Sequence, residues 1–414
     1  MGAADRVEAA VDETRLGTLI DRLAGFGAVP GGGTDRQALT EPDLDARRHF
    51  VDLARSYGAE ATRDPAGNFF FRVNGEIDSP PVATGSHSDS QPIAGNLDGG
   101  FGVCAAIELL AALRQADHRT KRPIEAVIWT NEEGCRFLPG TMGSTAFVSP
   151  ASLDGFLGST DRDGTTFAQA LGRLDALFGD VPLRPLAVPF HAFVEAHIEQ
   201  GPVLEQLAVP LGVVQGIQGC RWFEVRSQGR AAHSGTTPLA NKRDALMAAV
   251  TVIERLYEML RHGDDRLRLT VGRMVVEPNS PNVVPASTFF TIDLRHPDES
   301  VLGEVGAAIL ALAGTVAGCP ITVRQTMVMP PTVFDPSVVA AVDRAAAAVV
   351  PNRVALHSGA FHDSLRLSIH CPTGMIFVPS IDGISHSPAE RTELAHMTIG
   401  ARVLARAVVE MADA

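Results

Sequence analysis

Histidine and carboxylate residues gather in five short segments of the chain. They are His87 in GSHSDS, Asp98 in GNLDGG, Glu132 and Glu133 in TNEEG, His197 in HIEQG, and His386 in GISHSP. A lone histidine near a strand end is more often a structural hydrogen-bonding residue, and a Glu-Glu pair in a loop is usually solvated. Taken together the segments read differently, because all five sit at ends of apolar, strand-like runs beside small residues. Imidazoles and carboxylates in this mixture are what two zinc-like divalent ions need, with positions left open for water. Two cations a few ångströms apart require an anion between them, and the short Asp98 carboxylate in a glycine-rich loop suits that bridge. Glu132 and Glu133 are adjacent, so from an extended segment they point different ways. One can bind metal while the other faces a water held by the metal and acts as general base. Asp89, two residues after His87, can brace the His87 imidazole.

The elements that must position these residues are legible from periodicity. PVATGS (81–86) and EAVIWT (125–130) are short apolar runs ending in polar residues, the pattern of buried strands in an α/β sheet. Gly102 to Leu113 reads as a helix between them, and residues 6–26 and 44–58 carry helical spacing. Ligand sites in open α/β sheets collect at the carboxyl ends of strands, which is where GSHSDS and NEEG fall. A second unit follows. WFEVRSQG (222–229) alternates as a strand and Asp244 to Leu260 reads as a helix. RLRLTVGRMVV (266–276) and STFFTIDLR (287–295) read as two strands, Ser300 to Ala317 as a helix, and ITVRQTMVM (321–329) as a last strand. This β-α-β-β-α-β order predicts a ferredoxin-like α+β sandwich. A helix over 337–349 and a strand over 373–379 then resume the larger domain. The expected division is 1–214 with 330–414 for the larger domain and 215–329 for the insertion.

Composition narrows the function classes. The chain has 414 residues, 45% of them hydrophobic, enough for two domains with substantial cores. Its formal net charge is −13 with no basic block, which argues against nucleic acid or anionic membrane as partners. The five cysteines are scattered, odd in number and form no CxxC pair, so buried free thiols in a reducing compartment are expected rather than a disulfide framework. The N-terminal stretch lacks a signal-peptide pattern, and Glu108 interrupts the most apolar run, GVCAAIELLAAL. A cytoplasmic enzyme acting on a small molecule is the expectation.

The ordered segments GSHSDSQPIAGNLDGGFG, WTNEEGCRF, AHIEQGPVLE, GRAAHSGTTPLANKRDAL, PNSPNVVP, FTIDLRHPD, HSGAFHD and FVPSIDGISHSPAERT resemble the family of N-carbamoyl-L-amino-acid hydrolases, allantoate amidohydrolases and β-ureidopropionases, within the superfamily of two-metal exopeptidases and aminoacylases. The resemblance implies an α/β fold: a mixed-sheet, metallo-exopeptidase-like catalytic domain with an inserted ferredoxin-like dimerisation (lid) domain. It implies two divalent ions per chain, with Zn, Mn, Co or Ni all compatible. His87, Asp98 and His197 would hold one ion, and Asp98, Glu133 and His386 the other, with Glu132 as general base. The substrate would be a ureido carboxylate, hydrolysed to ammonia, carbon dioxide and the amine. Gln200, His233, Asn282, Arg295 and Gly359 would bind it, His233 reaching the site of the partner in a homodimer.

Several of these residues have a second reading. Arg295 offers a planar fork for a carboxylate, or a strand ion pair with Asp293 or Asp298. His233 can be a turn histidine, and Asn282 can cap the turn before Pro285. Phe361 stands where the family commonly has glycine, and either narrows the side-chain subsite or fills core. The rival functions are allantoate or ureidoglycine-type hydrolysis, an aminoacylase or dipeptidase, and a non-catalytic binder. The HIEQG and GTTP segments favour the carbamoylase branch over a peptidase, and the intact base and ligand set argue against a mere binder.

Overall fold

The computed structural model describes residues 2–260 and 264–414. The chain packs as two compact units, Met1–Gly216 with Val333–Ala414, and Ile217–Thr332.

The first unit is built on a nine-stranded mixed sheet. Its centre is a run of four mutually parallel strands, in the order Ile124–Trp129, Val82–His87, Ala192–Ile198, Thr373–Val378. All four are buried along their whole length, as expected for parallel strands covered on both faces. Because they are parallel, their carboxyl ends lie along one edge of the sheet. The helix Gly100–Gln115 packs on the His87 strand and is buried almost all round, which fits its uniformly apolar sequence. Glu108 is the polar exception within it. Its carboxylate is fully buried and accepts from the Arg15 guanidinium at 2.6 Å. Among the described residues no helix is long and apolar enough to cross a membrane.

The single helix expected over 6–26 is two helices, Ala3–Ala9 and Glu13–Gly25. Asp12 divides them, its side chain accepting from Arg15 N at 2.7 Å as an N-cap. Helical apolar spacing continues across the break because both pieces pack on the same core, so periodicity alone does not reveal it. The helix expected over 44–58 begins earlier, at Glu41, with proline in its first turn.

The second unit contains a five-stranded antiparallel sheet ordered Gly314–Val316, Cys319–Met329, Gly219–Gln228, Ser287–His296, Arg268–Glu277. The four long strands stand in the order fourth, first, third, second along the chain. Helices Ala245–Leu260 and Glu299–Leu310 pack on this sheet through Phe223, Val225, Phe290, Ile292 and Leu294. One expected element is corrected here. The helix expected over Ser300–Ala317 stops at Leu310, and Gly314–Val316 forms a short antiparallel strand whose partners are Ile321, Pro320 and Cys319. Gly314, Ala317 and Gly318 all have positive φ, which turns the chain back on itself. The apolar, alanine-rich run through 307–317 conceals that turn.

Candidate metal centre

Each of the four parallel strands delivers donors to the same edge. His87 is the last residue of its strand and His197 the last but one of its own. Glu132 and Glu133 follow the Ile124–Trp129 strand after Asn131, and His386 lies in the loop after Thr373–Val378. Asp98 comes from the loop that leads into the helix Gly100–Gln115.

The Asp98 carboxylate sits at the centre of this group and its two oxygens face different partners. Oδ1 is 3.2 Å from His197 Nε2 and 3.7 Å from His87 Nε2. Oδ2 is 3.1 Å from His386 Nε2, which is itself 3.6 Å from Glu133 Oε2. Two donor trios result, His87–Asp98–His197 and Asp98–Glu133–His386, each with its ligand atoms within 4.8 Å of one another. They share Asp98. The Glu132 carboxylate stands beside the first trio, its Oε2 3.6 Å from His87 Nε2. The adjacent glutamates therefore face different histidines, as their alternation requires.

The imidazoles are held in the tautomer that exposes Nε2. His87 Nδ1 lies 2.8 Å from the Asp89 carbonyl, and His197 Nδ1 lies 2.8 Å from the Ile198 carbonyl. A carbonyl only accepts, so each Nδ1 carries a hydrogen, and Nε2 is the nitrogen turned to the centre, able to offer a lone pair once it has no proton. The bracing role expected of Asp89 is divided differently from the expectation. Its main-chain carbonyl, not its carboxylate, holds His87, the nearest carboxylate oxygen being 3.9 Å from Nδ1. The carboxylate instead accepts from the amides of Glu132 and Glu133 at 3.3 and 3.2 Å. It thus fixes the turn that aims both glutamates.

Close backbone approach and strain surround these residues. Gly99 has φ +63°, and a Cβ there would lie 2.4 Å from the His87 ring. Asn131, Thr141, Gln200 and His386 all adopt positive φ, a conformation that costs non-glycine residues of order 1–3 kcal/mol each and collects at functional sites.

The electrostatics fit divalent cations. Burial pushes Glu132 well above the usual carboxylate range and Glu133 up to about 7, with neighbouring Asp98 adding to the Glu133 shift. Burial opposes charge on Asp98 as well, but hydrogen bonds from His197, His386 and His87 outweigh it and hold this carboxyl well below its ordinary value. The Asp98 hydrogen bond raises His386 to about 9. So many buried groups strain to keep or share protons that divalent cations would relieve them. The donor set of imidazoles and carboxylates suits Zn, Mn, Co or Ni and lacks the thiolates of a structural zinc site.

Sequence reasoning missed a further layer behind His197. Glu195 lies two residues earlier on the same strand face, fully buried, and accepts from Ser86 Oγ at 2.7 Å and from Ser364 N at 3.0 Å. It could also complete a trio with His197 and His362. The His362 ring meets the His197 ring edge-on at 4.4 Å, and its Nε2 is 2.9 Å from Ser358 Oγ. Burial and neighbouring His197 hold His362 neutral. Asp363 is pushed up to about 8, chiefly by burial, and takes the Ser144 hydroxyl at 2.5 Å. The period-two spacing of Glu195 and His197 was the available signal for the first of these, and the HSGAFHD segment for the others.

The expected substrate residues divide between the units. Gln200 joins the metal centre, its amide Nε2 donating to Asp98 Oδ2 at 2.6 Å while its Oε1 has no hydrogen-bond partner among the described residues. Gly359 lies in the loop beside Ser358, exposed, where an added Cβ would meet nothing. His233 and Asn282 belong to the second unit and lie together: Ser234 N donates to Asn282 O at 3.1 Å, and His233 pairs with Val283 across a short ladder. His233 Nδ1 accepts from Gly235 N at 3.1 Å, so the ring does close its own turn, while the residue stays exposed. Arg295 is engaged by Asp293 through two contacts of 3.0 and 2.9 Å, the ion-pair reading of that residue. Phe361 is half-buried.

A mixed α/β sheet with a carboxylate–histidine centre along the carboxyl edge of its parallel strands defines the class, an α/β chain of the metallohydrolase type. The chain belongs to Peptidase family M20/M25/M40, which matches residues 83–410. It is 35% identical to an N-carbamoyl-L-amino-acid amidohydrolase of Rhizobium meliloti, over 97% of this chain and 97% of that protein. It is 34% identical to the allantoate amidohydrolase of Escherichia coli, over 94% of this chain and 96% of that protein. Among solved structures, an amidase of the hydantoinase/carbamoylase family from Burkholderia multivorans is similar at 40% identity and a TM-score of 0.92, covering 98% of each chain.

Proposed function

We propose that this protein is a metal-dependent amidohydrolase that removes the carbamoyl group of a small ureido carboxylate, in first place an N-carbamoyl-L-amino acid. The observation that carries this reading is the Asp98 carboxylate, whose two oxygens face two separate donor trios. In this reading the chain holds two divalent ions, one by His87, Asp98 and His197 and one by Asp98, Glu133 and His386. When bound, such ions polarise the ureido carbonyl and make a water nucleophilic near neutral pH.

The chain's own groups then do the rest. Glu132 takes a proton from the attacking water and returns it to the departing nitrogen as ammonia leaves. The carbamic acid that remains on the amine loses carbon dioxide. The Gln200 amide is held by Asp98, and its unpartnered Oε1 is assigned to accept from a ureido N–H. His233, Asn282, Arg295 and Gly359 are assigned to the substrate, with Arg295 already oriented by Asp293. We assign the Ile217–Thr332 unit a lid and dimerisation role, so that His233 completes the site of a partner chain. The names of the relatives support a ureido substrate and also support allantoate as the second reading.

The test is a panel of N-carbamoyl-L- and D-amino acids, N-carbamoyl-β-alanine, allantoate, N-acetyl amino acids and dipeptides. Each is assayed with Zn, Mn, Co or Ni by ammonia or amine release. Ammonia from N-carbamoyl-L-amino acids is the expected result. Turnover of acyl amides or peptides alone would overturn the assignment.

A further inference from the structure

Glu390 belongs to neither donor trio, yet its carboxylate touches two of the three loops that carry the second one, those of Asp98 and His386. Oε1 accepts from the amides of Leu97 at 2.8 Å and Asp98 at 3.2 Å. Oε2 lies 2.9 Å from the Ser385 hydroxyl, and that hydroxyl lies 2.9 Å from Asp98 Oδ2. One carboxylate therefore grips the backbone beneath Asp98 and, through Ser385, the residue next to His386. The contacts join segments 293 and 292 residues apart in the chain, so no local turn supplies them.

Two further features set Glu390 apart from an ordinary surface carboxylate. It is only 5% exposed, and among the described residues it has no Lys or Arg partner within ion-pair distance. Keeping a carboxyl group buried without a Lys or Arg partner is costly, and hydrogen bonds to the two loops offset part of that cost. The chain also closes tightly over it. A Cβ at Gly95 would fall 2.1 Å from Glu390 Oε1, so the loop before Asp98 can take this path only with glycine at that position.

We infer that Glu390 is a positioning residue of the metal centre, which ties the Asp98 loop to the His386 loop and so sets the spacing of the donors that hold the second ion. The inference rests on the metal reading above. His87 and His197 lie on strand ends with their own carbonyl partners, whereas His386 is on a loop, half exposed and at positive φ. The ion held with His386 should therefore depend on Glu390 more than the ion held with His87 and His197.

The test reads metal rather than turnover. Wild type, Glu390→Ala, Glu390→Gln and Ser385→Ala are loaded with Zn or Mn, dialysed against graded chelator, and analysed for bound metal. Melting of the metal-free proteins is followed in parallel. Partners that orient metal ligands typically change affinity by roughly 10- to 100-fold. Glu390→Ala should lose one of two ions with a weakening of about that size, while its metal-free melting stays near wild type. Glu390→Gln keeps an oxygen for the Leu97 and Asp98 amides and should restore most of the affinity. Ser385→Ala keeps those amide bonds and should weaken only the second ion, which carries the test if Glu390→Ala does not fold. Two ions held at wild-type affinity in both alanine variants would overturn the inference and leave the metal reading intact. So would a loss matched by an equal fall in metal-free melting. A wild type that takes up no ion would overturn both.

Discussion

At the scale of single residues, the proposed chemistry assigns different tasks to two adjacent glutamates that face different histidines. If Glu132 is the base, Glu132→Gln keeps both ions but loses turnover by about 10²–10⁴-fold, since an amide cannot take the proton. Bound metal and ammonia release, measured on the same sample, check this, and near-normal turnover would mean the wrong carboxylate was assigned. Gly99→Ala tests the packing of the first trio. Its Cβ would meet the His87 ring at 2.4 Å in a backbone conformation that already favours glycine. The expected outcome is loss of metal at the site of His87, read by elemental analysis. His87, Asp98, Glu132, Glu133, His197 and His386 could be picked out of the sequence as imidazoles and carboxylates in short polar segments, and the structure brings them together. What holds them could not be. Asp89 acts through a main-chain carbonyl as well as its side chain, and no residue type advertises that. Glu195 and Glu390 are ordinary glutamates in the sequence, and only long-range packing makes them partners of the site.

At the scale of elements, the site depends on holding four parallel strand ends in register. A buried pair behind them does part of this. Arg47 and Asp43, both fully buried one helical turn apart, are 2.9 Å from each other. Arg47 also donates to the Trp129 and Gly67 carbonyls, and Asp43 accepts from Ser88 Oγ at 2.6 Å. The pair thus joins the helix Glu41–Ser56 to the ends of the strands that carry His87 and the two glutamates. Arg47→Met would leave the Asp43 carboxylate buried without its cation. A loss of roughly 3–5 kcal/mol is expected for breaking such a pair, measured by denaturant unfolding of the metal-free protein. A change within about 0.5 kcal/mol, the range usual for surface substitutions, would show that the pair carries no such load. The strands and the long helices were readable because burial stamps its period on the sequence. The break at Asp12 and the turn at Gly314–Gly318 were not, since apolar residues continue through both.

At the scale of the whole molecule, the proposed function links metal, proton and partner. Metal ligands must shed their protons, so binding should strengthen as pH rises. Glu133 lies up at about 7 and His386 at about 9, so affinity should climb most steeply below about pH 7, where both must lose a proton, more gently from there to about 9, and level off above. Chelator competition from pH 6 to pH 9.5 checks it, and a flat profile would contradict it. The proposed dimer predicts complementation. Inactive Glu132→Gln and His233→Ala chains should regain activity when mixed and allowed to exchange, because one of two sites then has both residues. No recovery despite proven exchange would exclude a shared site. The central claim is that the chain removes a carbamoyl group with Glu132 as base and that His87, Asp98, His197, Glu133 and His386 would hold two divalent ions that make the water nucleophilic. It is tested most directly by titrating metal-free protein with Mn or Zn while following ammonia release from an N-carbamoyl-L-amino acid. The account predicts activity that appears with metal, plateaus at two equivalents per chain and vanishes in Glu132→Gln. Ammonia release from the metal-free protein, or a plateau at one equivalent, would contradict it.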